Sequence, residues 1–259
     1  MAKQENSTSV TSVIRVFGIL EELAKERELG LSDLAKRMYM SKSTIFRFLQ
    51  TMKELDYVSQ DPVTERYSLT VKLFQIGLMT LDLHDLNKIA NKHMIKLAHR
   101  TCETVHLAIL DAESRSIIYV HKVDAEYSLS LLSRIGKKAP LHCTALGKVL
   151  MAYSDEDTLR EVLRGLSYRE YTPKTINNEA DYLKELEKVR NQGYGEDLCE
   201  HEENICCLAA PIRDRFGNVV AGMSITWPEF RFSEDEKDTY LEWIMETANA
   251  ISKDLGYIA

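Results

Sequence analysis

The chain has 259 residues, of which 44% are hydrophobic and 28% charged, so its composition is that of a globular protein and excludes a wholly disordered chain. It holds only 11 glycines and 5 prolines, which excludes collagen-like and low-complexity proteins, and its net charge of −7 argues against a surface that coats nucleic acid non-specifically. No apolar run reaches the roughly 20 residues of a membrane-spanning helix. The polar N-terminus lacks the apolar segment of an export signal, so we expect a cytoplasmic protein. The length of the chain leads us to expect two domains.

The cysteines and the distribution of charge add two constraints. The five cysteines are odd in number and scattered, which is typical of reduced cytosolic thiols rather than of a disulfide framework. They form no C-x-x-C pair, so we expect neither a structural metal nor another cofactor. Residues 1–80 carry 11 Lys and Arg against 10 Asp and Glu, whereas the remaining 179 residues carry 22 against 30. This asymmetry is typical of a protein that contacts an anion at one end only.

The first seventy residues show the pattern of three helices and a short hairpin. Apolar residues recur at helical spacing, Ser32 and Ser41 are suitable N-caps, and Asp61-Pro62 favours a turn between two strand-like runs. The predicted helices cover 10–24, 32–38 and 42–55, the predicted strands cover 57–60 and 66–69, and a further helix covers 71–78. This order predicts a winged helix-turn-helix domain over residues 9–71, followed by a linker helix over 72–85.

From residue 86 onward, strand-like runs alternate with helices. The predicted strands cover 105–110, 116–123, 129–132, 207–212 and 219–226. The predicted helices cover 86–100, 145–153, 155–164, 179–192 and 233–255, the last with Ser233 as its N-cap. The alternation predicts an α/β or α+β domain over residues 86–259.

The helix predicted over 42–55 has the properties of a DNA recognition helix. Its N-terminus offers hydroxyls and free N–H groups that suit phosphate, while Arg47 and Gln50 could reach base edges, Arg47 as a bidentate pair on guanine. Arg66 on the hairpin could reach the neighbouring backbone or minor groove. The candidate DNA-contacting residues are Ser41, Lys42, Ser43, Thr44, Phe46, Arg47, Gln50 and Arg66. Two alternatives stay open: the module docks a protein instead of DNA, and Phe46 belongs to the core instead of contacting a thymine methyl.

The segment 140–147 is the candidate ligand-binding element of the second domain. It places a proline, small residues and a glycine before an apolar helix, so the N–H groups of Thr144, Ala145 and Leu146 can point at an anion. Arg134 and His142 are near in sequence and could pair with a carboxylate. An ordinary helix-capping loop explains the same residues equally well.

Several motifs in the same order resemble the IclR family of bacterial transcription regulators. They are the run 40–55 with Tyr57-Val58, the segment 67–74, and the later segments 140–150, 193–197 and 207–212. The resemblance extends from about Val10 to Tyr257. Within the family the chain is similar to the regulators of 2-keto-3-deoxygluconate and hexuronate catabolism. It departs from them at His142-Cys143, where an aromatic residue and a hydroxyl are more usual.

The resemblance implies a C-terminal effector domain similar to GAF-type sensor folds. The positions that match effector contacts in the family are Ala145, Leu146, Asp197, Cys207, Ser224 and Thr226, and Leu131 could wall the cavity. Alternation along a strand puts Ser224 and Thr226 on one face, which agrees with a polar pair facing a pocket. For Asp197 the alternative is a solvated loop acid, and for Cys207 it is a buried apolar thiol.

These observations together predict a sequence-specific repressor rather than an enzyme. We expect a dimer or a dimer of dimers on a near-palindromic DNA operator, released when a sugar-acid effector binds the C-terminal domain. A thiol enzyme based on Cys206 or Cys207, a metal site in the acidic run 197–203, and a sensor that docks a protein are the alternatives. The sequence shows none of the motifs G-x-S-x-G, H-E-x-x-H or the P-loop.

Overall fold

A computed structural model of the chain describes residues 10–79, 83–124, 134–231 and 234–258. The chain divides into two compact units, Met1–His84 and Asp85–Ala259. Within the described ranges, no helix has both the length and the apolar character needed to cross a membrane. The mixed helix-and-sheet class expected from the sequence is confirmed.

The first unit consists of helices and one small hairpin. Its elements are α1 (Thr11–Lys25), α2 (Leu31–Arg37), α3 (Lys42–Glu54), β1 (Val58–Gln60), β2 (Tyr67–Leu69) and α4 (Lys72–Met79). β1 and β2 pair antiparallel, with Ser59 opposite Ser68. The apolar sides of α1, α2 and α3 meet in one core with Val58 and Tyr67. The hairpin thus attaches to the core through Val58 of β1 and through Tyr67 and Leu69 of β2, which fixes it next to α3.

The two predicted N-caps of this unit have different outcomes. Ser41 caps α3 as predicted, because its hydroxyl accepts from the Thr44 N–H at 3.2 Å. The prediction for Ser32 is wrong, since α2 begins one residue earlier and Gly30 occupies the N-cap position. The reason is a tertiary contact: Leu29 exchanges backbone hydrogen bonds with Tyr67, and the chain turns into the helix directly after it.

The second unit is built on a six-stranded antiparallel sheet in the order β5-β4-β3-β8-β7-β6. Its strands are β3 (Thr104–Asp111), β4 (Ser116–Val123), β5 (Lys138–Pro140), β6 (Gly195–Leu198), β7 (Ile205–Arg213) and β8 (Val219–Pro228). Its helices are α5 (Leu83–Thr101), α6 (Ala145–Ala152), α7 (Glu156–Leu163), α8 (Glu179–Gln192) and α9 (Glu234–Asp254), with a short 3₁₀ helix over Glu229–Arg231. β5 and β6 are not predicted by the sequence pattern, and the predicted strand 129–132 and the cap Ser233 lie outside the described residues.

Helices cover both faces of this sheet. On one face α6 packs between β7, β8 and α8, and all eight of its residues are buried. On the other face α9 packs against β7 and β8, with Tyr240 stacked on Trp227 at 5.4 Å between ring centroids. Residues of β8 therefore alternate between the two layers, and the even-numbered ones, such as Gly222 and Ser224, lie on the side of α6.

We expect Gly147→Ala in α6 to destabilise the protein by about 1–3 kcal/mol. A Cβ at this position would lie 2.4 Å from the carbonyl oxygen of Leu141, so the backbone itself would have to shift. Urea unfolding followed by circular dichroism measures the change. Gly18→Ala in α1 is the control, because its Cβ would meet only the flexible tip of Met38. Equal stability of the wild type and the Gly147 variant would contradict the tight packing of α6.

Candidate nucleic-acid interface and ligand cavity

Helix α3 divides its residues between a core side and an exposed side. Ile45, Leu49 and Met52 are buried in the core of the first unit. On the other side, five of the predicted DNA-contacting residues are exposed: Ser41, Lys42, Ser43, Phe46 and Arg47. Because 44% of Phe46 is exposed, it belongs to this outer face and the core alternative for it is wrong.

Three hydroxyls gather at the N-terminus of α3. The Ser41 hydroxyl lies 3.0 Å from that of Ser43 and 2.8 Å from that of Thr44. Free N–H groups and the positive end of the helix dipole lie at the same place. The arrangement is suited to a phosphate group, as the sequence predicts.

Cationic side chains on this surface differ in whether they are already paired. Arg47 lines a groove with Gln50 and Arg15, and its guanidinium makes no ion pair within the described part of the chain. Arg66 lies 3.4 Å from Glu28, in an exposed ion pair that is weak enough to exchange for a phosphate. Arg37, in contrast, is held by Glu26 and Glu22. Arg47 is therefore the arginine of α3 that is available for a base.

The second unit contains a cavity between the sheet, the start of α6 and the turn after β6. Seven of the ten predicted effector-contacting residues line it: Thr144, Ala145, Leu146, Asp197, Cys207, Ser224 and Thr226. The other lining residues, not predicted, are His106, Tyr119, Lys137, Ala139, His201, Glu202 and Ile205.

Strand register explains why residues distant in sequence meet in this cavity. Thr226 of β8 lies opposite Thr104 of β3 and Cys207 of β7, and Cys207 in turn lies opposite Asp197 of β6. The Thr226 hydroxyl is 3.2 Å from the Cys207 sulfur and 3.3 Å from Nδ1 of His106. The cavity floor is thus a row of polar groups from four adjacent strands.

Asp197 is a buried strand residue, with 2% of its surface exposed, so the alternative of a solvated loop acid is wrong. Its Oδ1 accepts from the N–H groups of Glu200 at 2.8 Å and His201 at 3.4 Å. Burial raises the pKa of Asp197 to about 7, and the nearby Glu200 carboxylate adds to the rise. Burial lowers the pKa of His106 to about 3, so its imidazole is neutral. Asp197 is therefore about half ionised at pH 7, and its titration sets the charge of the floor.

The roof of the cavity is the N-terminus of α6. The Thr144 hydroxyl caps the helix by accepting from the Gly147 N–H at 3.1 Å. The N–H groups of Ala145 and Leu146 donate to no group among the residues that the structure describes. Lys137 also lines the cavity. These donors can meet a carboxylate, which is the role that the sequence assigns to this segment.

Three predicted effector residues do not share this cavity in the structure. His142 is 1% exposed, and its Nε2 lies 3.0 Å from the Arg169 carbonyl oxygen, which accepts if that nitrogen carries the proton. Arg134 is exposed on a turn and does not line the cavity. Leu131 lies outside the described residues. The cation expected from Arg134 is supplied instead by Lys137, and the cluster of cations over 134–138 is the sequence signal that could have indicated it.

A buried ion pair supports the turn that follows β6. Lys148 of α6 is 1% exposed and lies 2.5 Å from the Glu200 carboxylate and 2.8 Å from the carbonyl oxygen of Glu196. The threonines 172 and 175 donate to backbone carbonyls of the same turn. Lys148 and the two threonines therefore fix the turn that carries the Glu200 and His201 N–H groups, which bind Asp197. The pair joins residues 52 apart, and nothing in the sequence indicates it.

The thiol and metal alternatives find no support in this geometry. Burial raises the pKa of Cys207 well above its usual value, and the hydrogen-bonding partner of its sulfur is Thr226 rather than a histidine. Burial likewise raises the pKa of Cys206, to about 12. Within the part of the chain that the structure describes, no three His, Cys, Asp or Glu side chains are placed to hold a metal.

Two family models match the chain and together cover most of it. Residues 12–62 match the IclR helix-turn-helix domain, and residues 78–253 match the C-terminal domain of the bacterial transcriptional regulator IclR. Among curated proteins, the HTH-type transcriptional regulators KdgR of Escherichia coli K12 and of Dickeya chrysanthemi are each 48% identical to this chain. Both alignments cover 96% of the chain, with 94% and 81% of the relatives respectively.

Solved structures give the same result. The structure of Thermotoga maritima IclR is 33% identical, with a TM-score of 0.81 over 95% of this chain and 99% of that one. The C-terminal domain of Escherichia coli KdgR is 42% identical, with a TM-score of 0.61 over 67% of this chain and 99% of that one. The similarity to the first structure includes both units.

Proposed function

The chain belongs to the IclR family of bacterial transcriptional regulators, and from this premise we propose that it represses genes of sugar-acid catabolism and leaves its operator when a sugar acid binds. The relatives of this chain are named as helix-turn-helix transcriptional regulators. Their similarity supports the DNA partner. The operator, the effector and the oligomeric state belong to the proposal.

The composition of the cavity is the observation that carries the effector proposal. Asp197, Ser224 and Thr226 place a carboxyl group and two hydroxyls on the floor, which suits a ligand with several hydroxyls. The free N–H groups of α6 and the cation of Lys137 suit its carboxylate. A keto-deoxy sugar acid such as 2-keto-3-deoxygluconate has both kinds of group. Two relatives that are 48% identical to this chain carry the name KdgR, which agrees with this compound.

We expect Asp197→Ala and Thr226→Val to require at least about tenfold more 2-keto-3-deoxygluconate for release of DNA, because each removes one buried hydrogen bond to the ligand. Apo DNA binding should stay unchanged, since both residues lie in the second unit. Fluorescence anisotropy of a labelled duplex that the protein binds measures the apo affinity for DNA. Titration of the complex with the sugar acid then gives the concentration needed for release.

Thr247→Val is the matched control, because the Thr247 hydroxyl bonds back to Trp243 within α9 and does not line the cavity. Release of both cavity variants at the wild-type concentration would show that the effector binds elsewhere. Failure of every sugar acid to release the wild type would refute the proposed effector class.

We expect Arg47→Ala to lose discrimination at one base pair of each half-site by about 1–3 kcal/mol, the usual contribution of an Arg–guanine pair. Selection of a random duplex library by the full chain, followed by sequencing, compares the wild type with the variant and does not require the operator to be identified first. Arg27→Ala removes an exposed cation of the same unit outside α3 and serves as the control. Identical selected sequences for the wild type and Arg47→Ala would refute the assigned DNA-contacting face.

A further inference from the structure

A second cavity of the C-terminal unit shares only Ala139 with the ligand cavity. It lies between the turn that joins β3 to β4, the strand β5 and the loop after α7. Its polar lining includes Arg115, Lys138 and three serines, 114, 116 and 167. No aspartate or glutamate is among the lining residues in the described part of the chain. The lining therefore has no carboxylate of its own, although the neighbouring Asp111 accepts from Ser114 and pairs with Lys138.

Arg115 is the unusual member of this lining. Its side chain is half-buried, yet it makes no ion pair with any described carboxylate, and its Nε is buried without a hydrogen-bond partner. The other cation, Lys138, is already 3.0 Å from the Asp111 carboxylate. Half-buried guanidinium groups are normally paired, because removing them from water is costly. The net charge of the lining thus comes from Arg115.

The loop after α7 is shaped to receive this guanidinium. A Cβ at Gly165 would lie 2.6 Å from Cζ, 2.7 Å from Nε and 2.8 Å from Nη2 of Arg115. The φ angle of Gly165 lies outside the left-handed region, so the backbone conformation does not itself require glycine there. The glycine instead leaves room for the planar group to lie flat against the main chain. Contact of the guanidinium plane with the main chain fixes the orientation of the group. Bidentate recognition of an oxyanion requires such a fixed orientation.

We propose that this second cavity binds a small oxyanion, a carboxylate or phosphate group of a metabolite, through the guanidinium of Arg115. The hydroxyl of Ser167 supplies a further donor at the same cavity, whereas Ser116 already donates to Ser114. The site is separate from the effector cavity and does not depend on the proposed sugar acid. A metabolite with such a group could then be bound by the regulator in addition to its effector.

Chemical modification of arginine tests the proposal on the full chain. Phenylglyoxal is applied with and without inorganic phosphate or acetate, and the modified peptides are quantified by mass spectrometry. We expect the modification rate of Arg115 to fall about threefold when the protecting anion is present at twice its Kd. Arg164, the exposed arginine next to Gly165, should keep its rate. Protection by one anion alone identifies the group, and an unchanged rate with both overturns the proposal.

A calorimetric titration gives a second test that does not need Arg115 to react. The same two anions are titrated into the wild type, Arg115→Gln, Gly165→Ala and Arg164→Gln. We expect Arg115→Gln and Gly165→Ala to lose the binding heat that Arg164→Gln retains, because one removes the guanidinium and the other displaces it. Equal heats in the wild type and Arg115→Gln overturn the proposal. Such a result would include binding of the anion only at the DNA-binding unit.

Discussion

Lys148→Met is expected to destabilise the protein by about 3–5 kcal/mol, the usual cost of breaking a buried ion pair by removing one partner. The Glu200 carboxylate, whose Oε2 already has no hydrogen-bond partner, would lose its contact with the ammonium group and remain buried. The Glu196 carbonyl would lose a donor as well. Urea unfolding at pH 7 measures the loss.

Two further variants distinguish the ion pair from ordinary packing. Lys188→Met removes a lysine that also contacts Glu185 and Glu196, but its side chain is 51% exposed, so the expected loss is at most about 1 kcal/mol. The double variant Lys148→Met with Glu200→Gln removes both charges and should recover part of the stability. A double variant as unstable as Lys148→Met would mean that the loss comes from packing.

The stability of the wild type relative to Asp197→Asn is expected to fall as the pH rises from about 4 to about 7. The pKa of this carboxyl is about 7 in the folded protein and 3.8 as the ordinary value. Between these two values the unfolded chain releases a proton that the folded protein keeps, so raising the pH favours unfolding. The slope is at most about 1.4 kcal/mol per pH unit and vanishes above pH 7.

Comparison with Asp197→Asn is necessary because His106 acts in the opposite direction. Burial holds the pKa of His106 at about 3, so this residue favours unfolding as the pH falls below its ordinary value of 6.5. Its contribution cancels in the difference between the two proteins. Urea unfolding at half-unit steps from pH 4 to pH 8 gives that difference. A constant difference over this range would show that Asp197 titrates normally.

The sequence predicts local structure in this protein better than it predicts long-range proximity. The N-cap at Ser41 and the shared face of Ser224 and Thr226 follow from short-range patterns, and the structure contains both. The pattern does not predict β6, because its four residues include Glu196 and Asp197, which are rare in strands. Their burial depends on pairing with β7, on Lys188 and Lys237 beside Glu196, and on the backbone N–H groups of the following turn beside Asp197.

The position of His142 is a second feature that the sequence does not predict. Nearness in sequence to Thr144 suggests that both side chains face one ligand, but the chain turns between them. His142 consequently packs edge-on against Tyr168 and near Tyr171 instead. The direction in which a loop side chain points depends on its contacts with other segments. The sequence pattern alone does not show where those segments lie. The same reason explains why Lys137 and not Arg134 brings a cation to the cavity.

The central position of β8 limits where this domain can deform. Hydrogen bonds to β3 on one side and β7 on the other hold this strand along much of its length. Its Ser224 and Thr226 therefore have fixed positions at the base of the proposed effector cavity. Under the proposed function, differences in ligand size would be met by changes of sequence in the loop before α6 and in the bend over 199–204, where Cys199 and Asn204 have φ angles of 63° and 61°. Variation in those two segments, with the strand kept constant, would give regulators that recognise different metabolites on one scaffold.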